Sequence, residues 1–279
     1  MARLVDYHIH TEFSVDAEGS PDEFARAAFD AGLMEICFTD HVDFLGYDTS
    51  CGFFKPRAYL DAVARVRARL PGKIRVLAGI ELGIEPEVIE RAVEASRQGY
   101  FSELDYVIGS VHGVEGQLLG SCYFPGKSRR EACERYLRDL DTSVRTLGKS
   151  RTVDVIGHLD VVKRYASWRP NERWLDDARD IFEQAVATIV DLGIGLEVNT
   201  SGFRQAPQEQ FPCVEILDMY RRKGGEILTI GSDSHSPASM TQSGTFCRAA
   251  LEVIKAAGFR YFTTFAGRKP SFVPVDGPA

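Results

Sequence analysis

Short apolar runs alternate with longer amphipathic segments from one end of this chain to the other, and that alternation most limits its fold. Leu4–His8, Glu35–Thr39, Arg75–Ile80, Tyr106–Ser110, Val153–Ile156, Gly195–Val198 and Glu226–Ile230 read as short buried strands. Between them run helical periods. Ser20, Pro21 and Glu23 supply an N-cap, a first-turn proline and a capping-box acid for a helix that should reach Gly32. Later helices are expected over Pro56–Leu70, Pro86–Gln98, Ser128–Leu147, Asn171–Leu192, Gln208–Lys223 and Phe246–Ala257, with a possible last strand at Tyr261–Thr264. Residues 267–279 hold three prolines and no period, and are expected as a surface tail. Strand–helix repetition predicts a parallel sheet covered by helices. Seven or eight such units without a linker suggest one domain over residues 1–279, an α/β fold closed or nearly closed into a barrel. A doubly wound open sheet is the alternative that periodicity alone does not separate.

Composition narrows the function classes. Apolar residues at 44% and charged residues at 26% supply a large core and exclude a disordered chain. The net charge, 33 − 40 = −7, argues against a general nucleic-acid backbone binder. It leaves small anionic substrates open, because bound metal ions reverse the local field. No apolar run approaches the ~20 residues of a membrane helix. The opening MARLVDYHIH places an aspartate and two histidines where a signal peptide needs apolar residues, and the six cysteines form no CxxC pair. Reduced, packed thiols in a cytoplasm are the expectation.

All six histidines, His8, His10, His41, His112, His158 and His235, fall at or just beyond the C-terminal end of an expected strand. In parallel α/β folds that edge carries the chemistry. His8 and His10 share one strand face about 6.6 Å apart, close enough to converge on one metal ion. Asp233 and His235 repeat the spacing near the other end of the chain, and barrel closure would bring the two pairs face to face. Glu81 ends an apolar strand, where a carboxylate is costly to bury unless paired or bound to metal. Asp16 follows the first strand in a loop and suits either a ligand or a turn. Asp6, Asp40 and Asp160 suit acceptors for imidazole N–H groups. Six imidazoles with Asp16, Glu81 and Asp233 give nine candidate ligands, enough for two or three metal ions. Clustered metals clamp phosphoryl groups and generate a hydroxide nucleophile.

His8-x-His10-Thr11, Thr39-Asp40-His41, Glu81, Ser110-Val111-His112, Gly157-His158-x-Asp160 and Asp233-x-His235 together resemble the polymerase and histidinol phosphatase (PHP) family, in order from residue 6 to about 236. The resemblance implies a distorted, TIM-like (β/α)7 barrel with a trinuclear metal site at the C-terminal ends of its strands. By that resemblance His8, His10, Glu81 and Asp233 hold the first metal. Glu81, bridging, joins His112 and His158 at the second, and Asp16, His41 and His235 hold the third. An aspartate at position 16, where many members carry histidine, makes iron or manganese plausible beside zinc. Glu81, Asp233 and His235 are the candidate catalytic residues.

Within the family, Glu197-Val198-Asn199-Thr200-Ser201-Gly202 and Arg204 look most like a histidinol-phosphate phosphatase. The implied reaction is hydrolysis of L-histidinol phosphate by a metal-activated hydroxide. Arg164, Arg204 and Lys163 are the candidate phosphate-binding cations, since arginine's planar fork matches phosphate oxygens. The substrate ammonium is expected near Glu115 or Asp43, although Gly113 leaves the space beside His112 unlike the family pattern. A PHP-type phosphodiesterase or nucleotide phosphatase, and a non-catalytic metal-binding module, are the competing readings. The expected partner is a small phosphate ester, with no membrane and no nucleic acid, and the oligomeric state is not readable.

Overall fold

A computed structural model describes residues 3–120, 122–148, 150–166, 168 and 172–277. Asn171, the expected start of one helix, lies outside the described residues. So do Met1, Ala2 and the last two residues of the expected tail.

The strands are β1 (Val5–Ile9), β2 (Glu35–Phe38), a two-residue β3 (His41–Val42), β4 (Arg75–Gly83), β5 (Tyr106–Ser110), a small hairpin of β6 (Gly113–Val114) and β7 (Gln117–Leu118), β8 (Val155–Ile156), β9 (Gly195–Asn199), β10 (Leu228–Gly231), and a terminal hairpin of β11 (Tyr261–Ala266) and β12 (Lys269–Pro274). The helices are α1 (Pro21–Asp30), α2 (Pro56–Arg69), α3 (Ile89–Arg97), α4 (Arg129–Leu147), α5 (Val162–Tyr165), α6 (Arg179–Asp191), α7 (Val214–Arg222), α8 (Pro237–Met240) and α9 (Ser243–Ala256). Seven strands pair in parallel in the order β1-β2-β4-β5-β8-β9-β10, and β3 extends the pairing of β4. The ring closes between β1 and the end of β10. There the Asp233 N–H donates to the His8 carbonyl at 2.8 Å and the His10 N–H to the Ser234 carbonyl at 2.9 Å. The result is the nearly closed α/β barrel, and the open sheet is excluded.

The barrel strands are buried almost throughout, as strands covered by helices must be. α1 begins as its sequence dictates, with the Glu23 carboxylate accepting the Ser20 N–H at 2.8 Å and Pro21 in the first turn.

Element ends shift by a few residues in several places, and three segments differ in kind from their sequence reading. The helix expected over Gln208–Lys223 starts only at Val214, because Pro212 lacks an N–H and disfavours a helical residue before it. The helix expected from Asn171 resolves into a 3-10 turn, Trp174–Asp177, then α6, with Arg173 in a left-handed conformation at φ 50°. Residues 267–277 lie mostly exposed, and part of them forms regular structure. Lys269–Pro274 folds back antiparallel on β11, and Val275 is buried. β11 therefore joins this hairpin, not the barrel.

The hairpin covers the N-terminal end of the barrel. Its turn rests on residues that precede β5 and β8: the Gly267 N–H donates to Asp105 Oδ1 at 3.0 Å and Arg268 Nε to Asp154 Oδ2 at 2.6 Å. Inside, the Phe265 N–H donates to the Tyr7 hydroxyl at 2.9 Å, and that hydroxyl donates to buried Glu35, which also holds Arg3 and Arg75. Tyr7 packs edge-on against Tyr106, with ring centroids 5.2 Å apart.

This arrangement makes Tyr7 the pin between first strand and last hairpin. Tyr7→Phe leaves the buried Phe265 N–H without its partner and should cost about 1–3 kcal/mol. The check is urea denaturation, with a lower midpoint and an unchanged slope expected. An unchanged midpoint would mean the hairpin is held by its turn alone.

Candidate metal centre

At the C-terminal end of the barrel, β4 runs three residues past its expected end, so Glu81 lies within the strand, beside His41 in register. Its carboxylate is buried and surrounded by imidazoles. Oε2 lies 3.3 Å from His8 Nε2, 3.4 Å from His10 Nε2 and 3.2 Å from His41 Nδ1. Oε1 lies 2.9 Å from His158 Nε2 and 3.3 Å from His112 Nε2, and accepts the Ser110 hydroxyl at 2.6 Å. One carboxylate thus faces two separate groups of nitrogen donors.

Oε2 and three donor atoms near it lie at distances like those between neighbouring ligands of one metal ion. A tetrahedral ion with bonds of about 2.0–2.2 Å places its ligand atoms about 3.3–3.6 Å apart. Five of the six edges joining His8 Nε2, His10 Nε2, Glu81 Oε2 and Asp233 Oδ1 measure 3.0, 3.3, 3.4, 3.5 and 3.7 Å. Around Oε1, His112 and His158 make a second, three-donor group with room for further ligands. Asp16 Oδ2, 3.7 Å from His41 Nε2 and 3.3 Å from His235 Nε2, makes a third at the rim. His10, His41 and His235 also lie close enough together to share an ion.

Protonation tells the same story. Burial opposes charge on His8, yet Glu197, Glu81 and Asp233 overcome it and push its pKa well above the usual value. His10, equally buried and beside His235 and His41, is pushed well below it. Burial would raise Glu81, but His8, His112 and His41 hold it well below the carboxylate range. Glu81 and Asp233 are both buried and held ionised by the positive charge around them, and a set of imidazole and carboxylate donors of this kind fits divalent metal ions.

The histidines, Glu81, Asp16 and Asp233 all reach this cluster. Asp6, Asp40 and Asp160 do not bond imidazoles, which corrects that expectation. Asp6 Oδ1 accepts the His8 and Ser232 N–H groups, at 3.2 and 2.9 Å, tying the barrel seam. Asp40 accepts the Thr11 N–H at 2.6 Å and the Ser14 hydroxyl at 2.8 Å, and Ser14 Oγ in turn lies 3.2 Å from His10 Nδ1. Asp160 holds Lys163 and the Cys213 N–H. The acceptor sequence reasoning missed is Glu197, 2.6 Å from His8 Nδ1. Its alternation with Asn199 at the end of β9 was the available signal.

The expected phosphate-binding cations separate. Arg164 lines the cavity of about 260 Å³ above the metal donors and donates to Asp233 Oδ2 at 2.8 Å. Arg204 lines an adjoining opening with Asp16, Asp233 and His235, donating to the Ser232 carbonyl at 2.7 Å. Lys163 does not reach either space. Its ammonium is buried and held at 2.8–2.9 Å by Asp160, Glu209 and the Gln210 carbonyl, between Trp174 and Phe211. Glu115 is likewise occupied, paired with Arg135 at 2.7 Å outside the cavity, whereas Asp43 lines it. At Gly113 a Cβ would fall 2.7 Å from the Tyr47 hydroxyl, so Tyr47 and Leu45 fill the space that a larger residue would take.

Comparison with known proteins places this geometry. Residues 6–201 match the family model of the PHP domain. The chain is 30% identical over 271 residues to the histidinol-phosphatase of Lactococcus lactis subsp. lactis (strain IL1403), covering 96% of both chains. It is 30% identical over 272 residues to a probable histidinol-phosphatase of Deinococcus radiodurans, covering 96% of this chain and 99% of that one. Its fold superposes with a TM-score of 0.82 and 29% identity on the crystal structure of the Lactococcus lactis histidinol phosphate phosphatase complexed with zinc, L-histidinol and phosphate, covering 96% of this chain and 99% of that one.

The donor geometry sets an order among the ligands. Glu81→Ala removes an oxygen from two donor groups at once, and Asp16→Ala removes one donor from the rim group alone. Elemental analysis of protein purified without chelator should show Glu81→Ala losing about two metal equivalents and Asp16→Ala about one, with the larger loss of thermal stability in Glu81→Ala. Wild-type metal content in Glu81→Ala would remove it from the ligand set.

Proposed function

The chain belongs to the PHP domain family, and from that membership and the geometry of the centre we propose that it is a metal-dependent phosphatase hydrolysing L-histidinol phosphate to L-histidinol and phosphate. The observation that carries this reading is the convergence of His8 Nε2 and His10 Nε2 on both Glu81 Oε2 and Asp233 Oδ1, beside a second donor pair on the other oxygen of the same glutamate.

His8, His10, Glu81 and Asp233 would hold the first divalent ion, Glu81, His112 and His158 the second, and Asp16, His41 and His235 the third. Zinc, iron and manganese all suit mixed imidazole and carboxylate donors. Bound ions supply charge neutralisation for the phosphoryl oxygens and a nucleophile drawn from water at neutral pH. The protein's own groups do the rest. Arg164 and Arg204 approach Asp233 from two sides and complement the phosphate oxygens. Water oxygen joins phosphorus, the bond from phosphorus to the alcohol oxygen breaks, and the leaving alkoxide collects its proton on the side of Asp233 and His235.

The alcohol occupies the cavity between two unlike walls. Asp43 and Asp48 face it from the loop after β3, suited to an ammonium, and Val111, Leu119 and Val161 face it from the β5 and β8 side, suited to a flat ring. A space of this size takes a small ester in preference to a nucleic acid. No helix among the described residues is long and apolar enough to cross a membrane, and the free cysteines agree with a reducing, cytoplasmic setting.

Two measurements test the reading. L-histidinol phosphate should exceed nucleoside monophosphates and sugar phosphates in kcat/KM by at least about ten-fold, a preference of ~1.4 kcal/mol. Arg204→Ala should raise KM for every phosphate ester tested, since it weakens binding to the shared group. Faster turnover of a nucleotide or short oligonucleotide would replace this substrate with the nucleotide reading and leave the metal centre standing.

A further inference from the structure

Glu197, outside the nine expected ligands, connects the two halves of the centre. It is buried at the core of β9 and 189 residues from His8 in sequence. Oε1 accepts from His8 Nδ1 at 2.6 Å. Oε2 accepts the His158 backbone N–H at 3.0 Å and the Asn199 amide at 3.1 Å. His8 belongs to the first donor group and His158 to the second. The carboxylate fits because its neighbours have no side chains. A Cβ on Gly231 would overlap both Glu197 Oε1 and His8 Cβ, and one on Gly157 would lie 3.4 Å from Oε2.

We propose that Glu197 is a positioning residue that fixes the tautomer of His8 and thereby couples the first metal position to the backbone of the second. The argument is a count of donors and acceptors. Both ends of Glu197 face N–H groups, so both must accept, and only a carboxylate accepts at both ends. With Oε1 accepting, the proton of His8 sits on Nδ1, and the Nε2 lone pair points toward Glu81 Oε2, His10 and Asp233. A glutamine of the same shape has one accepting end. Two donors at Oε2 outvote one at Oε1, so its amide oxygen stays with His158 and Asn199 and its NH2 turns to His8. Nδ1 must then accept, the proton moves to Nε2, and the lone pair that would bind metal is lost.

This inference rests on His8 being a metal ligand, and its test separates the two. Wild type, Glu197→Gln, His8→Ala and the double variant are loaded with zinc, and zinc affinity and stoichiometry are measured by competition with a chromophoric chelator and elemental analysis. The His8 ring is followed by 15N NMR of histidine-labelled protein. Wild type should show zinc at Nε2 of His8 with the proton on Nδ1. Glu197→Gln should bind one zinc equivalent about 10- to 100-fold more weakly and carry the His8 proton on Nε2. The double variant should bind no more weakly than His8→Ala, because Glu197 acts through that ring. Glu197→Asp, which keeps the charge and draws the carboxylate back by one methylene, should weaken the same equivalent, and it stands in if Glu197→Gln does not fold. Zinc binding that survives His8→Ala unchanged would overturn the ligand assignment. An Nδ1–H tautomer and wild-type affinity in Glu197→Gln, with His8→Ala defective, would overturn the positioning role alone.

Discussion

Everything at the C-terminal end of this barrel depends on one buried carboxylate that would be prohibitive to bury by itself. Glu81 sits among five imidazoles, two facing Oε1 and three facing Oε2. Removing such a charge from water costs several kcal/mol even after relaxation. The cluster is stable when positive charge lies on both sides of it, and divalent ions supply more of that charge than imidazole protonation can. The strand order follows from this need. β1, β3, β4, β5, β8 and β10 each deliver at least one donor, at the strand or just beyond it, to one face.

The backbone also bends to serve the centre. His158 has φ 25° and Asp233 φ 55°, a left-handed region uncommon for residues with a side chain. Such conformations cost of order 1–3 kcal/mol and persist where the surroundings over-determine them. At His158 the Glu197 carboxylate and the Val161 N–H on its carbonyl supply that constraint, and at Asp233 the seam bond to the His8 carbonyl supplies it. The opposite end of the barrel shows no donor group of this kind among the described residues and is sealed by the terminal hairpin. Function and closure are divided between the two ends.

What the sequence made legible was what repeats locally. The strand–helix alternation identifies the barrel, and the i, i+2 spacing of His8 with His10 and of Asp233 with His235 identifies the donors before any contact is known. Interactions between residues far apart in the chain were hidden. Glu197 reads as one polar residue in an apolar strand until folding brings His8 against it. Lys163, next to Arg164 in sequence, points another way because successive helical residues are rotated by about 100°, into the Asp160 and Glu209 carboxylates. The strand within the tail went unread because proline is excluded from central strands but tolerated at an edge, where Pro270 and Pro274 sit.

The seam between β1 and β10 has a consequence for how the molecule comes into being. His8 and Asp233 are bonded neighbours separated by 225 residues, and the hairpin that pins Tyr7 lies later still. At elongation rates of ~5–20 residues per second, the first strand leaves the ribosome roughly 10–45 s before the strand that completes its pairing. Until β10 is made, the edge of β1 opposite β2, which carries His8, has no partner strand. A nascent chain with an unpaired apolar edge is a substrate for chaperones and for misassembly with its neighbours. The first donor group is completed only once residue 233 has been made, and no chain that stops short of it can hold that group.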